Sequence, residues 1–176
     1  MKILVPLANG FEEIEAITII DVLRRAECEV ITANLEKESI MASRKTRHLA
    51  DAYLNEIIFH TFDAIILPGG QPGSDTLMNH LELRKRLIQQ AEEGKWIGAI
   101  CAAPKVLEVA GLLKGKRFTC HPSVKAFITS GQLVEERVVV DGKLITGQAA
   151  GSAMVFALQL VQEFKGKHKW KKLMKD

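Results

Sequence analysis

Cysteine is scarce and scattered in this chain: 176 residues hold three, Cys28, Cys101 and Cys120. They are widely spaced, odd in number and free of any CxxC pairing, which argues against both a disulfide framework and a metal site of the zinc kind. Long apolar runs are missing as well. No stretch reaches the ~20 residues that a membrane span needs, so no membrane contact is expected. The opening Met1-Lys2-Ile3-Leu4-Val5-Pro6 reads as a strand and not as a secretory signal, which makes the cytoplasm the expected location. A strong charge of one sign is lacking too. The formal charge is +3, yet Lys165 to Asp176 alone holds six lysines and one aspartate, which leaves −2 for the rest. The basic character belongs to a tail, where a lysine cluster is usually a solvated amphipathic turn, and a nucleic-acid partner is not expected. Neither an internal repeat nor an interdomain linker is visible. The 176 residues, 47% apolar and 26% charged, are therefore expected to form one soluble globular domain.

What the chain does hold is a succession of buried strands and amphipathic helices. Ile3 to Leu7 is an apolar strand and Ala8-Asn9-Gly10-Phe11 its turn. The spacing of Ile14, Ile17, Ile20, Val22, Leu23 and Ala26 predicts a helix over 12–26, and Cys28 to Ala33 is a second strand. This βαβ unit implies an α/β fold, a mostly parallel sheet with helices on both faces. Between Glu36 and Leu49 the pattern is weak and suggests short edge strands near Ile40-Met41 and His48-Leu49. Phe62 to Leu67 is a strong strand ended by Pro68-Gly69-Gly70. Residues 71–79, rich in Gly, Pro and Ser, read as a loop, and a helix is expected over 80–93. Phe118 to Pro122 leaves a short strand, a helix is expected over 123–129, and Val138 to Thr146 reads as a hairpin around Asp141-Gly142. Gly147 to Phe164 is apolar nearly all round, which predicts a buried helix and suggests a subunit interface.

The chemistry concentrates at Trp96-Ile97-Gly98-Ala99-Ile100-Cys101-Ala102-Ala103-Pro104, where an apolar strand ends at a cysteine and a helix starts at once. Pro104 suits a first helical turn. Cys101 thus stands at a strand's carboxyl end beside a helix N-terminus, a setting that favours the nucleophilic thiolate, and a thiolate at neutral pH is expected. The binding crevice of such a sheet lies outside the carboxyl ends of its strands. Gly69 and Gly70, with the N–H of Ala102, are candidates to hold a negative oxygen, because bare glycine backbone permits close approach. Among Glu12, Glu13 and Glu15, Glu15 has the apolar neighbours that would turn it inward, where a protonated carboxyl could donate to the sulfur and carry a proton. His121 is a candidate base and Arg44 a candidate anion contact. Cys28 and Cys120 look structural.

Gly10-Phe11-Glu12-Glu13-Ile14-Glu15-Ala16, Leu67-Pro68-Gly69-Gly70, Ala99-Ile100-Cys101-Ala102-Ala103-Pro104 and Thr119-Cys120-His121-Pro122, in that order, resemble the ThiJ/PfpI superfamily in its DJ-one branch, the Parkinsonism-associated deglycases. The resemblance runs from Met1 to about Phe164. It implies a flavodoxin-like three-layer α/β sandwich, usually a homodimer, with Cys101 reactive, Glu15 bonded to its sulfur and His121 nearby. It further implies a cofactor-independent enzyme acting on small 2-oxoaldehydes such as methylglyoxal, of glyoxalase or deglycase type, or a redox sensor or chaperone-like protein that uses oxidation of Cys101. An amide or ester hydrolase or peptidase is a remote alternative, since the protease-like branch carries histidine where this chain has Ala102. Glutamine amidotransferases share the elbow but need a later His and Glu pair, for which His168 is a poor substitute. Ser43-Arg44 matches the branch, whereas Gln148 stands where close relatives carry arginine. The tail after Phe164 looks truncated.

Overall fold

Seven strands form the central sheet of this computed structural model, which describes residues 1–36 and 39–173. Lys37 and Glu38, in the weakly patterned stretch, and Met174 to Asp176, at the end of the basic tail, lie outside the described residues. In chain order the sheet strands are β1 (Lys2–Leu7), β2 (Glu29–Asn34), β5 (Ala52–Tyr53), β6 (Ala64–Leu67), β7 (Trp96–Ile100), β10 (Val138–Asp141) and β11 (Leu144–Gly147). Their spatial order is β10-β11-β7-β6-β1-β2-β5, with every neighbouring pair parallel except the β10–β11 hairpin. The fold is the flavodoxin-like α/β arrangement expected from the sequence.

Strand side chains alternate between two apolar layers. Ile3, Val5 and Leu7 of β1 join Ile66 and Ile100 on one face, under α1 (Glu13–Arg25) and α6 (Ala153–Lys165). Leu4 joins Ile65, Leu67, Ile97 and Ala99 on the other, under α2 (Leu54–Ile57), α3 (Gly73–Asn79), α4 (Leu81–Glu92) and α5 (Pro104–Val109). All four residues of β6 are buried, as befits a strand covered on both sides.

Several expectations change. The Gly/Pro/Ser-rich stretch is not loop throughout: Pro72 caps α3, and Ser74 N–H bonds to Gly70 O at 2.9 Å. Turn residues are also helix-start residues, and here they serve as the latter. The weak segment forms a separate two-stranded hairpin, β3 (Ile40–Met41) with β4 (Arg47–His48). The short strand before His121 is β8 (Arg117–Phe118), which pairs with β9 (Gln132–Leu133) outside the main sheet. Residues Pro122–Phe127 form a 3-10 helix and not an α-helix. The helix expected over 147–164 is α6, shorter by six residues at its start, and Met154 and Val155 are exposed on it. On α1, Ile14 and Ile17 also face outward, while Glu15 is fully buried. The tail forms α7 (Lys167–Leu173), held by Lys169 to Glu27 at 2.8 Å.

Candidate active site

Four chain segments converge where β1, β6 and β7 end. Cys101, the residue after β7, has φ +64°, the left-handed conformation that costs a non-glycine residue free energy and turns its side chain out of the strand line. Its backbone is held on two sides: its N–H donates to Gly147 O at 2.9 Å, and its carbonyl accepts from His121 N–H at 2.8 Å. Pro104 opens α5, as the sequence suggested.

Glu15 arrives from the first turn of α1 with no accessible surface. Its Oε2 accepts the Gly69 N–H at 2.7 Å, its Oε1 has no hydrogen-bond partner, and the carboxyl lies against the Cys101 side chain, whose thiol lowers its pKa as a donor would. Burial pushes the Glu15 pKa up from 4.5 to about 7, against the hydrogen bonds from Cys101 and Gly69; the charge of Glu12 adds to the rise. Glu15 is therefore half protonated near neutrality, as a buried acid facing sulfur should be.

The sulfur itself revises the expectation of a standing thiolate. Burial, then the Glu15 charge and its hydrogen bond, push the Cys101 thiol well above its ordinary range; only the N–H groups of Ala102 and Gly70 oppose this. The two groups share a proton. A thiolate forms here when the proton passes to Glu15, which removes the repelling charge and turns the carboxyl into a donor.

Gly69 and Gly70 must both be glycine for this to close. A Cβ on Gly69 would lie 2.7 Å from both Cys101 Cβ and Glu15 Oε2, and one on Gly70, whose φ is +97°, 2.3 Å from Glu12 N. Their N–H groups divide the labour. The Gly69 N–H is spent on Glu15, whereas those of Gly70 and Ala102 face the sulfur, so two of the three candidate oxyanion donors stand free for that role and the third orients the acid.

His121 lies alongside the elbow through its backbone, and its ring is tied to its own turn. Nδ1 accepts from Ser123 N–H at 3.2 Å and meets Ser123 Oγ at 2.8 Å, which leaves the ring proton on Nε2. Arg44 stands exposed in the turn between β3 and β4. Glu13 fastens that turn to α1 by accepting from Arg44 N–H at 2.7 Å, Thr46 Oγ1 at 3.0 Å and Ser43 Oγ at 3.0 Å. Desolvation opposes it, but the bond from Glu13's own backbone N–H, followed by those from Thr46, Arg44 and Ser43, holds the Glu13 carboxyl down at about 2. Glu12 also accepts from Ser43 Oγ, at 2.9 Å. Gln148 follows β11, its N–H bonded to Arg137 O at 2.9 Å. Sequence reasoning missed Lys105, four residues past the cysteine and buried; a lysine in an apolar helix run, Pro104-Lys105-Val106-Leu107, was the available signal. Among the described residues no cluster of metal-ligating side chains occurs, and no helix is long and apolar enough to cross a membrane.

Residues 1–163 match the model of the DJ-1/PfpI family. The chain is 44% identical over 176 residues to protein DJ-1 homolog B of Arabidopsis thaliana, covering 99% of this chain and 40% of that relative, so it spans about two fifths of the relative's length. It is 37% identical to the glutathione-independent glyoxalase DJR-1.2 of Caenorhabditis elegans, covering 93% and 88%. The solved structure of oxidized Toxoplasma gondii DJ-1 superposes with a TM-score of 0.93 at 38% identity, covering 97% of this chain and 94% of that one.

Proposed function

Because this chain belongs to the DJ-1/PfpI family, we propose that it is a cofactor-independent cysteine enzyme of the glyoxalase or deglycase type, acting on small 2-oxoaldehydes such as methylglyoxal. One observation carries the reading: a fully buried carboxyl set against the sulfur of a cysteine in a left-handed elbow. An inert core cysteine needs no such partner.

The steps balance without a cofactor. Cys101 gives its proton to Glu15, and the thiolate adds to the aldehyde carbon. The C–S bond forms, the carbonyl electron pair moves to oxygen, and Gly70 N–H and Ala102 N–H receive the developing charge. Protonation of that oxygen gives a hemithioacetal. Loss of the proton on the former aldehyde carbon and reprotonation at the neighbouring carbon, through an enediol, yields a 2-hydroxyacyl thioester. Water then adds, the C–S bond breaks, and the 2-hydroxy acid leaves with the thiol restored. Glu15 takes and returns the protons, the Nε2–H of His121 is a donor for substrate oxygen, and exposed Arg44 is the contact for the carboxylate of the 2-hydroxy acid product. Incubation with methylglyoxal, without glutathione and with a chelator present, is expected to yield lactate well above the uncatalysed rate. Background-level lactate across pH 6–9 would reject the reading.

Redox sensing is a second use of the same sulfur, favoured by the fact that Cys101 alone of the three cysteines is not buried. Two equivalents of peroxide each transfer one oxygen to sulfur and leave as water, giving a sulfinate to which protonated Glu15 donates. Mass spectrometry after mild peroxide should find two added oxygens on Cys101; equal oxidation of Cys28 and Cys120 counts against it.

A homodimer is supported by the exposed apolar residues of the paired helices α1 and α6: Ile14, Ile17, Met154 and Val155. An isologous contact would cover them. Ile17→Glu should weaken association by about 2 kcal/mol, roughly thirtyfold in Kd, in sedimentation velocity. An unchanged dimer would place the interface elsewhere.

A further inference from the structure

Lys105 is 5% exposed, on the buried side of α5 among Pro104, Val106 and Leu107. A buried ammonium is costly unless paired and hydrogen-bonded, and hydrocarbon would fill this position at less cost. Its partners are specific. Nζ forms an ion pair with Asp75 Oδ1, from the first turn of α3. The Gln71 side chain, oriented as its two neighbours require, accepts from Lys105 Nζ at 2.6 Å and donates to Asp75 Oδ2 at 2.7 Å. The three side chains form a closed triangle.

The corners of that triangle lie next to the groups that face the sulfur. Gln71 directly follows Gly70, and Lys105 lies one turn past Ala102, to whose carbonyl its own N–H donates at 3.3 Å. The Gly70 and Ala102 N–H groups belong to different segments, a loop and a helix start; the β6–β7 ladder joins these as far as Leu67 and Ala99, and past it packing and side-chain bonds fix one relative to the other. We propose that Lys105, clamped by Asp75 and Gln71, is a positioning residue that holds the Gly70 and Ala102 N–H donors at their spacing around the Cys101 sulfur and thereby sets its reactivity. This rests on the reading of Cys101 as the nucleophile. Donors displaced by a fraction of an ångström remain folded but stabilise charge poorly.

The test compares the full-length protein with Lys105→Met, Lys105→Arg and Asp75→Asn. The last keeps the size and a hydrogen-bonding oxygen at a side chain that is 49% exposed and removes only the counter-charge of Lys105, so it weakens the clamp without emptying the buried position. Two readouts are taken: the pH dependence of Cys101 alkylation by iodoacetamide, and kcat and KM for methylglyoxal. Lys105→Met and Asp75→Asn are expected to slow alkylation at pH 7.5 and to lower kcat by about tenfold, with KM within twofold and the alkylation midpoint raised by roughly one unit. Lys105→Arg should restore most of both. A loss of Tm alone, with alkylation midpoint and kcat per folded molecule unchanged, would overturn the assignment. If the parent protein turns over no methylglyoxal, the functional reading fails, while the alkylation midpoints still decide the role of Lys105.

Discussion

Cys101→Ala is expected to reduce methylglyoxal conversion to the uncatalysed rate, a loss of about 10⁴-fold or more, since no other group here can form the carbon–sulfur bond. The other two thiols cannot substitute. Cys28 and Cys120 are buried, and neither has a carboxyl against its sulfur to take the proton as Glu15 can for Cys101. Each lacks the backbone donors that Gly70 and Ala102 turn toward Cys101. The substitution is also structurally mild. Alanine meets the same backbone cost at φ +64° that cysteine does, and the Gly147 and His121 bonds use main-chain atoms that remain. Circular dichroism and Tm should therefore stay close to the parent while lactate formation disappears. Retained turnover with the sulfur gone would remove Cys101 from the reaction.

Local pattern and long-range pairing differed sharply in how far they could be read. The central strands and α1 were legible because an apolar strand between turn signals has few alternatives. Cys101 was legible because Ile97 to Ile100 stops at it and Pro104 opens a helix. Glu15 was legible through its apolar neighbours, although the face was misjudged: Ile14 and Ile17 point outward on either side of it. What stayed hidden depends on partners remote in sequence. Nothing near Gly69 announces that its N–H is taken by a carboxyl 54 residues away. The Lys105 triangle joins positions 71, 75 and 105, and α3 was hidden because Pro72, Gly73 and Ser74 serve turns and helix starts alike. The state of the sulfur was misjudged for a related reason. The helix-start rule sees only the favourable N–H groups, whereas ionisation is governed by burial and by a carboxylate from another element.

Glu15→Gln separates the two duties of that carboxyl. The variant amide keeps an oxygen for the Gly69 N–H and places an N–H toward sulfur, but it cannot take or return a proton. Turnover should fall by about 10²- to 10⁴-fold, the usual worth of general acid–base catalysis. Alkylation of Cys101 at pH 8 should persist or rise, because no carboxylate then repels the thiolate. Stability should move the other way. The folded-state pKa of about 7 lies above the 4.5 of an unperturbed glutamate, so the folded protein holds this proton more tightly than the unfolded chain. The advantage is full below about 4.5, is lost as pH rises to about 7, and above that leaves a penalty of about 3 kcal/mol relative to acid conditions. The amide carries no such penalty. The Tm of the variant should gain on the parent between pH 4.5 and 7 and hold its lead above, while the parent's turnover climbs through the same region as the Glu15–Cys101 pair loses its first proton. A gap in Tm that does not change with pH would mean that the carboxyl is not the buried acid described above. Turnover within a few-fold of the parent at pH 7.5 would mean that protons reach the hemithioacetal by another route.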